Sequence, residues 1–129
     1  MSNDANNFRI DYVEFPAIGV PATRKFYEEV FSIKMEEMEM MGMKMAMFPY
    51  DMMGGKVGGA VVESEYHKPS ADGAKIYLNA NPDLDVAMGK VEAAGGKVHM
   101  PKMKINDDIG YMAFFFDTEG NLVAVHSNG

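Results

Sequence analysis

The chain has 129 residues, 47% hydrophobic and 24% charged, a globular composition sized for one domain with its own core. With 12 basic and 19 acidic residues the net charge is −7, which argues against nucleic acid and against an anionic membrane surface, since both call for clustered Lys and Arg. Cysteine is absent, which excludes disulfide scaffolds, thiolate nucleophiles and Cys-based zinc sites. Met1 to Asn7 is polar and lacks the apolar stretch of a secretory signal, and no apolar run approaches the ~20 residues of a membrane span. The expectation is a soluble, cytoplasmic protein.

Residues 8–16 alternate between apolar and polar, as in a strand that ends at Pro16. Tyr12 and Glu14 share one face with Ile10; Asp11, Val13 and Phe15 share the other. Pro21 suits a first helical position, and Ala22, Phe26, Tyr27, Val30 and Phe31 follow at helical spacing, predicting an amphipathic helix of about three turns. Between residues 33 and 48, Met41, Met43, Met45 and Met47 fall at every second position, and Gly42 marks where two strands meet. Pro49 to Gly55 reads as a loop, Val57 to Val62 as a short strand, and Glu63 to Gly73 as a polar linker.

The second half repeats this order. Ala74 to Ala80 reads as a strand, and Asn81-Pro82-Asp83 as a helix start with a capping side chain, Pro at the first position and an acid in the first turn. Leu84, Ala87, Met88 and Val91 form the apolar stripe, and Gly95-Gly96 ends it. Lys97 to Met100 is a short strand; Gly110 to Asp117 and Leu122 to Ser127 are strands of a hairpin closed by Thr118 to Asn121. A shift of about 64 residues lays the strand at Tyr12 over the one at Ile76 and one helix over the other. The fold class this predicts is α+β, a single domain over 1–129 with two βαβββ repeats (about 8–63 and about 74–128) forming a cupped mixed β-sheet. A ferredoxin-like α+β sandwich is the alternative; three strands after each helix favour the cupped sheet.

The residues Tyr12-Val13-Glu14-Phe15-Pro16-Ala17, Arg24 through Phe31, Val91 through Val98 and Asp117-Thr118-Glu119-Gly120-Asn121 come in an order that resembles the vicinal oxygen chelate superfamily. That superfamily includes glyoxalase I, extradiol dioxygenases, fosfomycin-resistance enzymes and bleomycin-resistance proteins. The resemblance implies the glyoxalase-like fold, a small-molecule site in the cup and a homodimer in which paired halves cover the pockets. It also implies four pocket positions where metalloenzymes of the superfamily hold a divalent ion with His and Glu. Here those positions fall at Tyr12, near Gly58 to Ala60, near Lys75 and at Ala124, with Asp11 and Glu63 the nearest acids. The expectation is therefore no metal and no cofactor.

Tyr12, Glu14, Lys75, Tyr77, Phe114 and His126 are the candidate ligand-binding residues, with His126 and Glu14 as candidate acid/base groups. Phe116 reads as core, His99 as an edge-strand residue, and His67 as a solvated linker residue. The alternating methionines admit three readings: unbranched gap-filling, an adaptable apolar pocket, or soft thioether ligands for Cu(I). Gap-filling is the default. Gly54-Gly55-Lys56-Val57-Gly58-Gly59 lacks the Gly-Lys-Ser/Thr ending of a phosphate loop. Glu36, Glu37 and Glu39 read as a wet strand face, and Asp107-Asp108 as a loop. The expected function is binding of a small organic molecule without metal. The alternative is an enzyme, a lyase, isomerase or dioxygenase relative, with a displaced metal site or metal-free acid/base chemistry.

Overall fold

The structure, a computed structural model, describes residues 10–50 and 57–129. The start of the first expected strand, most of the Pro49 to Gly55 loop and the first half of the glycine-rich stretch at 54–59 lie outside the described residues. The elements run β1 (Tyr12–Pro16), α1 (Val20–Phe31), β2 (Glu36–Met40), β3 (Met43–Met47), β4 (Gly58–Glu63), β5 (Tyr77–Asn79), α2 (Asp85–Met88), β6 (Lys97–Asn106), β7 (Gly110–Phe116) and β8 (Leu122–Ser127).

They form two four-stranded mixed sheets of identical topology, β1-β4-β3-β2 and β5-β8-β7-β6. In each, the first strand runs parallel to the last and the other pairs are antiparallel. Each repeat is thus a βαβββ unit, and the fold is the α+β, glyoxalase-like arrangement expected. The register refines the internal alignment: Tyr12 sits opposite Gly58 as Tyr77 sits opposite Ala124, so Tyr12 corresponds to Tyr77 rather than to Ile76.

Local chemistry accounts for the elements. Pro21 lies in the first turn of α1, and Ser32 closes the helix in the left-handed conformation, its N–H donating to the Glu28 carbonyl. Met41 and Gly42 both have positive φ, the geometry of a two-residue hairpin turn matched to strand twist. The second helix is shorter than the sequence predicts at both ends: it begins at Asp85 with Leu84 at the N-cap and no side-chain cap, so Asn81-Pro82-Asp83 precedes the helix and does not start it, and β5 before it is likewise shorter, Tyr77–Asn79. Gly89 follows Met88, and the chain continues to Gly95 as turns with bonds such as Lys90 N–H to Ala87 O at 2.9 Å. β6 is longer than predicted and carries Pro101, which an edge strand tolerates; its register shifts on either side of Met100.

One core joins the two sheets. Phe15, Ala46 and Val61 enter it from the first, Ala113, Phe115, Val123 and Val125 from the second. α1 lies between them: Tyr27 is 5.8 Å from Phe15 and 6.4 Å from Phe115, ring to ring. The Tyr27 hydroxyl donates to Asp117 Oδ2 at 2.7 Å, and Asp117 also accepts the N–H groups of Glu119 and Asn121, so the last hairpin turn is tied to α1. Each sheet turns its other face away from this core. On the first sheet that outer face holds Met45, Ala60 and Val62 with Met43 and Met47 beside them. No helix among the described residues is long and apolar enough to cross a membrane.

Candidate functional site

Alternation along β1 sends Val13 and Phe15 to the core and leaves Tyr12 and Glu14 on the outer face. There Glu14 meets a partner the sequence reading placed elsewhere. His67, expected to be solvated in the linker, has a side chain only 15% exposed, with Nε2 2.7 Å from Glu14 Oε1. Its Nδ1 lies 2.6 Å from Ser64 Oγ. The correction has a simple cause: residues 64–66 form a turn after β4, and β4 pairs with β1, so the turn delivers His67 to the β1 face. The Ser64-x-x-His67 spacing is a local turn signal; no local pattern points to Glu14. Tyr12 lies on the same face as Glu14, and its phenol is pushed up to about 12, by burial first and by the Glu14 charge second. It therefore keeps its proton at neutral pH and is not a base.

The second-sheet candidates occupy the corresponding outer face. Tyr77 lies 6.0 Å from Phe114, ring to ring, and Phe116 5.1 Å from His99. Phe116, read as core, instead faces outward, because Phe115 is the β7 residue that turns inward. His126 stands opposite Asn79 and Met112, with Nε2 2.6 Å from the Ile109 carbonyl. That ring nitrogen is engaged by backbone. Lys75 Nζ donates to the Ala71 and Gly73 carbonyls at 2.8 and 3.1 Å. The shared core separates the Tyr12–Glu14 group from the Phe114–His126 group, so one chain does not gather all six candidates at one point.

A cleft of about 590 Å³ opens between β1 and β5, the edge strands of the two sheets that pair with no strand on this side. Val13, Phe15, Phe31, Phe48, Ile76 and Leu78 supply its apolar walls, and Lys75, Tyr77 and Asn79 its polar part. No carboxylate lines it among the described residues. Its volume falls in the range of small-molecule sites.

Two βαβββ units with their first and last strands paired, and a ligand-sized cleft at the seam, define a glyoxalase-type protein. The sequence profile of the Glyoxalase/Bleomycin resistance protein/Dioxygenase superfamily matches residues 9–125, and the chain belongs to this family. A glyoxylase-like domain-containing protein from Didymella fabae is 30% identical over 122 residues, 91% of each chain. A crystal structure of a glyoxalase/bleomycin resistance protein from Albidiferax ferrireducens superposes with a TM-score of 0.68 at 16% identity, over 92% of this chain and 98% of that one. A glyoxalase I mutant from Zea mays gives a TM-score of 0.70 at 19% identity, over 92% of this chain and 45% of that one. These structural likenesses concern the fold.

The divalent metal of the superfamily's enzymes does not fit the residues present. Register puts Tyr12 opposite Gly58 and Tyr77 opposite Ala124 at the corresponding positions, and the next pairs are Glu14 with Ala60 and Asn79 with His126. Tyr77, not Lys75, holds the third position. The four positions themselves hold Tyr, Gly, Tyr and Ala, and the neighbouring pairs add one carboxylate and one imidazole, short of the His and Glu donors such an ion needs. Among the described residues no group of three His, Cys, Asp or Glu is placed to hold an ion.

Proposed function

We propose that this chain is a small-molecule binding protein of the cytoplasm, taking a neutral, largely apolar organic ligand without the family's metal. The cleft between β1 and β5 carries this reading: its walls are apolar, its volume suits such a ligand, and Tyr77 and Asn79 offer hydrogen bonds at the rim. Lys75 contributes a single positive charge whose donors are directed to the Ala71 and Gly73 carbonyls, so a formal negative charge on the ligand is not required. The working form is a homodimer. Tyr12 and Tyr77, 40% and 50% exposed on the outer sheet faces, support it, because a second copy covering those faces would bring Tyr12 and Glu14 against Phe114 and His126. A monomer mass at every protein concentration in sedimentation removes the dimer.

A thermal-shift panel of neutral, basic and acidic aromatic compounds tests the ligand. Neutral members raise the melting temperature, with about 2.7 kcal/mol gained at a concentration 100 times Kd. Leu78→Trp, which fills the cleft, abolishes the shift. A panel without any response, or an equal response in Leu78→Trp, refutes the assignment.

The Glu14–His67–Ser64 chain, with Tyr12 on the same strand face as Glu14, supports a second reading, metal-free acid/base catalysis, with His67 or Glu14 as the proton acceptor. His126 is less suited, being bonded to the Ile109 carbonyl. Turnover of a 2-oxoaldehyde–thiol adduct or a catechol that disappears in both His67→Gln and Glu14→Gln establishes it; turnover unchanged in both removes it.

A further inference from the structure

The first sheet carries another constellation on the face turned away from α1. β2 and β3 run antiparallel, with Met38 opposite Met45 and Met40 opposite Met43. Directly opposed residues of such a pair share a face, and side chains alternate along each strand. The four thioethers form a two-by-two patch, which Met47 extends by one step, opposite Glu36. Opposed Cβ atoms in antiparallel pairs lie about 4.5–5.5 Å apart. Methionine is unbranched with three rotatable bonds, so four sulfurs can converge on one point while the backbone stays in place.

Gap-filling explains only part of this patch. Met45 is 3% exposed and packs with Ala60 and Val62. Met38 and Met40 are 43% and 47% exposed, on an edge strand whose residues are all exposed. Apolar side chains left in water gain little from burial, and edge strands are ordinarily guarded by charge or Pro. Of the acids of β2 only Glu36 shares the methionine face, while Glu37 and Glu39 point to the opposite face; the chain as a whole is acidic, which favours cations over anions. Arg24 offsets one of these charges, 2.9 Å from Glu37.

We propose that Met38, Met40, Met43 and Met45 bind one soft monovalent cation, Cu(I), in an all-thioether site on the outer face of the first sheet. Thioether sulfur is neutral and polarizable and selects Cu(I) over hard oxygen-seeking ions. It loses no proton on binding, so affinity is independent of pH across the range where imidazole or carboxylate ligands would be protonated. The site is independent of the apolar cleft and of what occupies it.

The test uses the full chain under reducing, anaerobic conditions, with Cu(I) supplied as a coloured bicinchoninate complex and Ag(I) as the probe for NMR of methyl-labelled methionine. The chain withdraws one Cu(I) per molecule, equally at about pH 6 and about pH 8, on either side of the usual histidine pKa. Ag(I) shifts the methyl signals of Met38, Met40, Met43 and Met45. The double variant Met38→Leu/Met40→Leu keeps apolar bulk and melting temperature but binds roughly 100-fold or more weaker, since even outer-shell changes cost about 10–100-fold. Met112→Leu, on the other sheet, binds as the parent does. Failure to withdraw Cu(I), equal affinity in the double variant, methyl shifts confined to other methionines, or affinity that climbs steeply from about pH 6 to about pH 8 each overturns the proposal.

Discussion

His67 Nε2 lies 2.7 Å from Glu14 Oε1, joining two residues 53 positions apart. With Ser64 Oγ at Nδ1, both ring nitrogens are engaged, so the imidazole is held in one orientation on the β1 face. A partly buried, charge-assisted bond of this kind contributes about 1–2 kcal/mol. Glu14→Gln and His67→Gln each lower the unfolding free energy by about that much, and the double variant costs less than the sum of the two. Urea unfolding of the four proteins measures the coupling; strict additivity denies the bond an energetic role.

Tyr27 and Tyr12 make stability depend on alkaline pH. Burial, then the Asp117 charge, holds the Tyr27 phenol well above its ordinary value of 10.0, and Tyr12 is raised to about 12. Below pH 10 both phenols are neutral in the folded and unfolded chains, and neither changes the balance. Above it the unfolded chain loses protons that the native state keeps, so stability falls with rising pH, from Tyr27 by about 1.4 kcal/mol per pH unit. Tyr12 adds to the fall between pH 10 and about 12. Melting temperatures flat to about pH 10 and then declining, with a shallower decline in Tyr12→Phe, are the expected result.

Removing the Tyr27 hydroxyl tests the tie between α1 and the last hairpin. Tyr27→Phe leaves Asp117 with the donors of Glu119 and Asn121 only, in a buried position. The cost is about 1–3 kcal/mol at neutral pH, read by urea unfolding. An unchanged midpoint means that the remaining donors satisfy the carboxylate.

Glycine substitutions separate two kinds of constraint. A Cβ on Gly96 would stand 2.5 Å from the Phe116 carbonyl oxygen and 2.7 Å from the Phe26 ring, so Gly96→Ala forces β6 away from the core at a cost of about 1–3 kcal/mol or more. A Cβ on Gly42 meets nothing within 4 Å, so Gly42→Ala carries only the left-handed backbone cost of about 1–2 kcal/mol. Gly96→Ala is therefore expected to melt at the lower temperature. The reverse order contradicts the close approach at Gly96.

Phe115 joins the second sheet to α1, 5.7 Å from Phe26 and 6.4 Å from both Tyr27 and Phe31, ring to ring. Phe115→Ala opens a cavity inside the common core and costs about 3–5 kcal/mol. Phe114→Ala, one residue away on the outer face, costs less, and calorimetry of the two variants reports which face of β7 is inside.

The fold was legible because it is written in short-range chemistry. Period-two alternation marked β1 and β3, Pro21 and the aromatic pair marked α1, Gly42 marked the first hairpin, and the turn at Thr118 to Asn121 marked the last. Three lengths are misjudged: β5 spans only Tyr77–Asn79, α2 only Asp85–Met88, and β6, at an edge that tolerates Pro101, continues to Asn106. The candidate site was legible only in part. Tyr12, Glu14, Tyr77, Phe114 and His126 do sit on outer sheet faces, as alternation implies. Alternation along one strand does not say which residue of another strand lies beside it, so Met38 and Met40 were not counted with Met43 and Met45.

Spacing along the chain was thus enough to establish two βαβββ units and the two faces of β1, since both follow from backbone periodicity. Pairing register, turn geometry and the placing of α1 between the sheets settled the rest. They carried His67 to Glu14, matched Tyr77 to Tyr12, bonded Lys75 and His126 to backbone carbonyls, and left the cleft between β1 and β5. Those contacts join residues far apart in sequence, and only the packing of a shared core brings them within reach.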